Sequence, residues 1–245
     1  MRLISATLLL LGLMVLVPGI ASAQDLSLAL GEDVSLTGLS IQLFAVVALI
    51  GFAPGLLIMA TCFPFIVTVF SILRQALGLQ QSPPNMLIIS VALVLTYYVM
   101  DPVLLEAWSD GVQPFLREEM PAETAISRIV EPFRTFMLAR VDPETLETMA
   151  ELRANTSGGQ ADVTAPPQSV LIPAFLLSEM SNAFQVGFLI FLPFLIIDLV
   201  VAAILMSMGM MMVPPALVSL PFKLAFFAVA NGWTLIAEAL VTGYF

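Results

Sequence analysis

The sequence predicts an all-α protein made of membrane-associated helical hairpins whose helices are broken by proline. Three observations carry this. Hydrophobic residues make up 60% of the chain against 11% charged, with a mean hydropathy of +1.03, and no soluble core needs that much apolar surface. Phe184 to Met212, FQVGFLIFLPFLIIDLVVAAILMSMGMMM, holds a single charged residue, Asp198, in a run long enough to cross the roughly 30 Å hydrocarbon core of a bilayer as a helix. The apolar runs are continuous rather than alternating, which excludes an outer-membrane barrel. An ionised carboxylate in lipid is expensive, so Asp198 must face protein, water or a neighbouring subunit, or else be protonated. The run therefore argues for an assembly or a conduit more than for an isolated anchor.

In chain order, Met1 to Ala23 has Arg2, an apolar core, a Pro18-Gly19 break and the small-x-small ending Ala21-Ser22-Ala23. This is the pattern of a cleavable secretory signal, residues 1–23. Cleavage leaves Gln24 first and outside the cytoplasm; a retained first membrane helix is the competing reading. Residues 24–102 form an N-terminal segment and a first hydrophobic hairpin. Gln24 to Ser40 is a short extracytoplasmic lead-in. Leu39 to Leu73 has no charge but is interrupted by Ala53-Pro54-Gly55 and by Pro64, so a bent or two-piece helix is expected. Arg74 ends the run, GLQQSPP (Gly78 to Pro84) makes a turn, and Asn85 to Met100 is a second helix stopped by Asp101-Pro102. Arginine favours the cytoplasmic side of short loops, which turns the hairpin tip inward and leaves Gln24 and Asp101 outward.

Residues 103–169 are the polar, extracytoplasmic helical portion. The net charge is -10, and most acidic residues fall between Asp101 and Asp162. Glu118, Glu119, Glu123 and Glu131 alternate with Arg117, Arg128 and Arg134 at near-helical spacings, the pattern of a solvated face, with Glu131 and Arg134 able to pair at i,i+3. Pro143-Glu144-Thr145-Leu146 starts a helix behind an Asp142 cap. Asn155 to Pro167 reads as a flexible linker.

Residues 170–245 form the second hydrophobic hairpin, with a methionine-rich loop. An amphipathic stretch from Leu171 to Phe184, containing Glu179, leads into the long apolar run, and Val213-Pro214-Pro215 breaks it. Lys223 then marks an inward-facing turn, and a last apolar helix runs from Leu224 to about Val241 past Asn231-Gly232-Trp233 and Glu238. Two hairpins with both ends outside are the simplest topology.

Chemistry is scarce. The chain has no histidine and one cysteine, Cys62, which removes the usual general base, most zinc chemistry and any intrachain disulfide. It has no phosphate loop, dinucleotide fingerprint or metal-ligand spacing, so neither an enzyme nor a cofactor is expected, and the acidic balance argues against nucleic acid. Asp198 is either a polar contact between helices or part of a proton relay, which would need further titratable partners. Glu179, Arg74, Lys223 and Glu238 lie near segment ends, where snorkelling into headgroups explains them. Met206, Met208, Met210, Met211 and Met212 are either apolar filler or a flexible ring able to close around an irregular gap and yield. Gly209 and the following diproline tilt towards a non-helical turn. Gly187, Ala202, Ala203, Ser207 and Gly209 supply small surfaces for close helix packing.

Three blocks carry a resemblance: LRQALGLQQSPPNMLIISVALVLTYYVMDP from Leu73, IPAFLLSEMSNAFQVGFLIFLPFLIIDLVVAAILMSMGMMM from Ile172, and SLPFKLAFFAVANGW from Ser219, with PFRTFMLA from Pro132 besides. They are similar to the FliP family of flagellar biosynthetic proteins, which includes the core export-gate proteins of type III secretion injectisomes. The resemblance covers nearly everything after about Leu39. It implies a non-enzymatic subunit of a helical, channel-forming assembly in the bacterial inner membrane, within the flagellar basal body, with much of the chain facing the periplasm. The implied partners are further copies of itself as a homopentamer, FliQ-like and FliR-like gate subunits, FlhA-like and FlhB-like export components, membrane lipid, and unfolded rod, hook and filament proteins in transit.

Residue by residue, the resemblance makes Met210, Met211 and Met212 a gasket closing the pore. It gives Asp198, with Phe191 and Pro193, a place in the family's core pattern as a subunit contact, and makes Arg74 and Lys223 polar positions at the inward hairpin ends. Thr61-Cys62-Phe63-Pro64, Phe65 and Asn231 depart from that pattern. It also implies hairpins packed into a tapered complex largely above the usual membrane plane. A small-solute transporter with Asp198 at a midplane site and a purely structural basal-body scaffold are the competing readings.

Overall fold

The computed structural model describes residues 58–79, 82–157, 163–210 and 212–244, with scattered positions from 41 to 55. The expected signal segment, the lead-in and the Ala53-Pro54 break lie outside the described residues, as do positions 80–81, 158–162 and Met211. All elements named below belong to the unit Gly55–Phe245, and every regular element among the described residues is a helix.

Helix α1, Phe63–Ala76, is the centre of the molecule. The expected interruption at Pro64 forms: residues 60–62 turn out of the preceding helical backbone and a new helix starts at Phe63, with Pro64 in its first turn, where its missing N–H is not required. Phe65, Ile66, Val69, Phe70 and Leu73 are buried along one face, at the i, i+3, i+4 spacing of an amphipathic helix. The helix closes in a Schellman turn: Gly78 N–H donates to the Gln75 carbonyl at 2.9 Å and Leu79 N–H to Arg74 at 3.3 Å.

Helix α2 runs from Asn85 to Ala107, through the point where Asp101-Pro102 was expected to stop it. A proline removes one ladder donor and crowds the turn before it, but burial of Val99, Met100 and Ala107 on the core side holds the helix across the defect. A π-helical segment at Trp108–Val112 and a short helix α3, Gln113–Leu116, continue it. The polar portion contributes α4, Ala122–Arg140, and α5, Pro143–Ser157. The Asp142 cap forms as read: its Oδ2 accepts from Thr145 N–H and from the Thr145 hydroxyl, each at 2.8 Å. The pairing of Glu131 with Arg134 does not form; Arg134 donates instead to the Pro166 carbonyl at 2.7 Å. The expected linker is helical as far as Ser157, and Pro166 is buried.

The amphipathic stretch and the apolar run that follows are one helix, α6, Gln168–Ser207, with Pro173 and Pro193 inside it. Forty residues make about 60 Å of helix, about twice the hydrocarbon thickness. Its first half is therefore free to pack against the polar helices, with Leu171, Ala174 and Phe175 sharing a core with Met137, Leu146 and Ala150. Its middle lies against α1, where Gly187 meets Ile72 so closely that an added Cβ would stand 2.4 Å from Ile72 Cδ1.

The long run does not stay helical to Met212. It stops at Ser207 in a second Schellman turn, with Gly209 N–H on the Met206 carbonyl at 3.0 Å and Met210 N–H on Leu205 at 2.9 Å. Gly209 has φ of 75°, a left-handed conformation that a side chain would strain. Helix α7, Pro215–Val229, begins at the diproline, and α8, Gly232–Thr242, follows a break of 61° at Asn231. The expected turn at Lys223 and a helix starting at Leu224 are thus both corrected: Lys223 is in the middle of α7, and the hairpin turns at Met208–Pro214 instead. Two helical stretches, Asn85–Leu116 and Gln168–Ser207, are long and apolar enough to cross a membrane, and α7 with α8 makes a third, broken one.

Candidate functional site

The methionine turn is held out from the packed part of the molecule. Met210 is 43% and Met212 98% exposed, while Met211, the middle residue of the expected gasket, lies outside the described residues. Helix α6 enters the turn and α7 leaves it. Between these two arms lies an apolar groove of about 540 Å³, lined by Ile197, Val201, Leu205, Met208, Met210 and Phe222 among others. The side chains of the arms do not fill it.

Below the groove the arms are joined by charge. Lys223 Nζ stands 2.6 Å from Asp198 Oδ2 and donates a second hydrogen bond to the Ala76 carbonyl at 3.0 Å. Ser219 Oγ donates to Asp198 Oδ1 at 2.5 Å. Ser219 and Lys223 are four residues apart on α7, so both face Asp198, and both are buried. Ala76 ends α1, whose last carbonyls have no intrahelical partner, so the lysine ammonium also satisfies a helix C-terminus. Lys223 thus ties three helices together within this chain.

Glu179 was placed near a segment end by the sequence. It is 0% exposed and inside α6, so it does not snorkel. Its Oε1 lies 3.4 Å from Arg140 Nε, and its Oε2 accepts from the Tyr244 hydroxyl. Arg140 also donates to the Gly243 carbonyl at 2.7 Å and lies over the Tyr244 ring at 4.1 Å. Tyr244 itself is wedged against Phe65 and Phe136. Burial, and next the charge of Glu179, push the Tyr244 hydroxyl pKa up, so it remains a donor. Arg74, in the last turn of α1, donates to Asn85 Oδ1 and closes the first hairpin.

Sequence reasoning missed Arg140, Tyr244 and Ser219. Ser219 alone left a signal, a hydroxyl one helical turn before the lysine of an otherwise apolar helix; the contacts of Glu179 with Arg140 and Tyr244 span 39 and 65 residues and have no local signature. Among the described residues no cluster of three or more His, Cys, Asp or Glu is placed to hold a metal.

Long apolar helices stapled by charges, one span bent by 61° at left-handed Asn231, and a protruding apolar turn define a membrane-associated helical subunit of a channel assembly. The comparisons agree. The model of the FliP family matches residues 46–240. The chain is 44% identical over 232 residues to the flagellar biosynthetic protein FliP of Agrobacterium fabrum, covering 93% of this chain and 94% of that one. It is 44% identical over 230 residues to that of Caulobacter vibrioides, covering 94% and 86%, and 42% identical over 205 residues to that of Aquifex aeolicus, covering 84% and 86%. The chain belongs to the FliP family. It is accordingly a structural subunit of the flagellar protein-export gate.

Proposed function

We propose that the turn between α6 and α7 is the constriction of this export channel, with Met210, Met211 and Met212 of several copies, a homopentamer, meeting as a gasket. The observation that carries this reading is the methionine turn itself: thioether side chains, flexible and apolar, held in solvent by a glycine-capped helix end instead of being packed. Such a ring excludes water and ions while closed and yields to an unfolded chain.

The unpacked faces of α2 and α6, with Tyr98, Leu93, Phe188 and Leu199 exposed, fit contact with further copies, FliQ-like and FliR-like subunits and lipid. FlhA-like and FlhB-like components complete the export apparatus around it, in the inner membrane of the basal body, with the polar helices α4 and α5 towards the periplasm. Intermolecular packing is what permits helices with internal prolines at membrane depth. The cargo is unfolded rod, hook and filament protein. Deleting the gene and restoring it on a plasmid tests the reading: loss of hook and filament protein from the medium, with recovery on complementation, is expected, and normal motility of the deletion strain contradicts it.

A further inference from the structure

The two helices that carry the chain away from the methionine turn sort their side chains in opposite ways. Helix α7 buries its polar residues, Ser219 and Lys223, and exposes Leu217, Phe222, Phe226 and Val229. Helix α8 exposes Thr234, Glu238 and Thr242 and buries Gly232, Ile236 and Leu240. Each of these last two sets recurs at every fourth residue and so forms one row. The two rows are offset by two residues, which sets them about 200° apart around the helix. Asn231, exposed and left-handed at the 61° break, extends the polar row by a further turn. From Asn231 to Thr242 the polar face is about 16 Å long.

The polar groups of this face are also open. In α1 and α2 the hydroxyls of Thr68, Ser71, Ser90 and Thr96 each turn back onto a carbonyl of their own helix, at 2.8 Å or less, which hides a polar group in apolar surroundings. Among the described residues, Thr234, Glu238 and Thr242 have no such hydrogen bond and no ion pair. Lipid satisfies none of these groups, and a carboxylate exposed to it is costly. The outer face of α7 fits lipid or an apolar partner; that of α8 fits water. The two helices together have the length and composition of one broken span, and at membrane depth a face in water lines a water-filled cavity. The far end of α8 is held to the polar helix α4, where Arg140 donates to the Gly243 carbonyl. The polar face thus runs from the water-facing helices to the break.

We propose that the face of α8 bearing Asn231, Thr234, Glu238 and Thr242 is a wall of the water-filled part of the conduit, on the polar-helix side of the methionine constriction, and that the unfolded chain in transit slides along it. This rests on the channel reading above. Hydroxyls and a carboxylate keep the wall hydrated, so apolar side chains of an unfolded polypeptide find no surface there to adhere to. One carboxylate per copy makes the wall favour cations and basic segments.

The test uses Thr234→Cys, Glu238→Cys and Thr242→Cys in assembled complexes in their membrane, with a charged, membrane-impermeant thiol reagent as the probe. The parent, whose one cysteine is the buried Cys62, is the blank, and Val229→Cys, on the apolar face of α7, is the control shielded from water. The three α8 variants are expected to react many-fold faster than Val229→Cys. They are expected to slow several-fold when the channel is jammed by a flagellar subunit fused to a folded domain too wide to pass. Variants that fail to assemble, or cysteines that stay unlabelled in the assembled complex, put the face against another subunit and overturn the proposal. Labelling that jammed cargo leaves unchanged puts the face in water outside the conduit, which also overturns it. Replacing Met210, Met211 and Met212 by glycine in parallel separates the two readings. A leaking glycine variant beside unprotected cysteines sinks the wall alone; protected cysteines beside a tight glycine variant move the constriction elsewhere and leave the wall in place.

Discussion

Tyr244 donates its hydroxyl to the carboxylate of Glu179 across 65 residues of sequence, and Arg140 meets both. The node joins the end of the polar helix α4, the first third of the long helix α6 and the last turn of the described chain. It holds the water-facing helices to the apolar hairpins. Tyr244→Phe keeps the ring between Phe65 and Phe136 but takes a hydrogen bond from a buried carboxylate, and is expected to cost about 1–3 kcal/mol. Arg140→Met leaves Glu179 without its cation and should cost about 3–5 kcal/mol. Thermal unfolding of the purified complex, read beside its yield, checks the order: parent, Tyr244→Phe, Arg140→Met.

Gly187 sets the spacing of α1 and α6. Because the added Cβ of Gly187→Ala would meet Ile72 Cδ1 at 2.4 Å, the helices must separate or Ile72 must change rotamer, at a cost of about 1–3 kcal/mol. Ile72→Val in the same chain removes the nearest methyl and should return part of the loss. Equal stability of parent and Gly187→Ala in a melting experiment would contradict this packing.

Asp142 gives the polar portion a pH dependence of known sign. Its hydrogen bonds from Thr145 hold its carboxyl pKa below the usual carboxylate value. A carboxylate with a depressed folded pKa contributes stability that is present above its unfolded value and is lost as pH falls through the folded one. The cap should therefore weaken only in acid, below about pH 4. Asp142→Asn, which caps without titrating, is expected to keep α5 helical through that range; following helicity by circular dichroism as pH is lowered compares the two.

Cys62 is fully buried just before α1, and burial pushes its thiol up to about 12. At neutral pH it is protonated and inert. Iodoacetamide should leave it unmodified in the intact complex and label it after denaturation, as read by mass spectrometry; rapid labelling of the native protein would mean that the start of α1 is open.

Much of this architecture is legible in the chain because it is local. The apolar runs, the Asp142 cap and the helix stop at Gly209 each follow from a few neighbouring residues. The two proline readings fare differently. The interruption at Pro64 is local and forms, the helix restarting at Phe63 with the proline in its first turn. The stop at Asp101-Pro102 does not, overridden by the burial of Val99, Met100 and Ala107, a tertiary effect. Lys223 was the most instructive residue. A lone lysine between apolar segments reads as a loop residue on charge alone, and only the fold brings Asp198 and the end of α1 to within hydrogen-bonding distance of it. The same is true of Glu179, whose burial is affordable because Arg140 and Tyr244 arrive from the polar helix and the last turn.

The measurement closest to the central claim is ion leakage across the membrane of cells in which Met210, Met211 and Met212 are replaced together by glycine, with the complex purified from the same cells. An intact complex and a leaking membrane are the predicted result. An intact complex with a tight membrane and normal secretion of flagellar subunits would contradict it and reduce the methionine turn to packing.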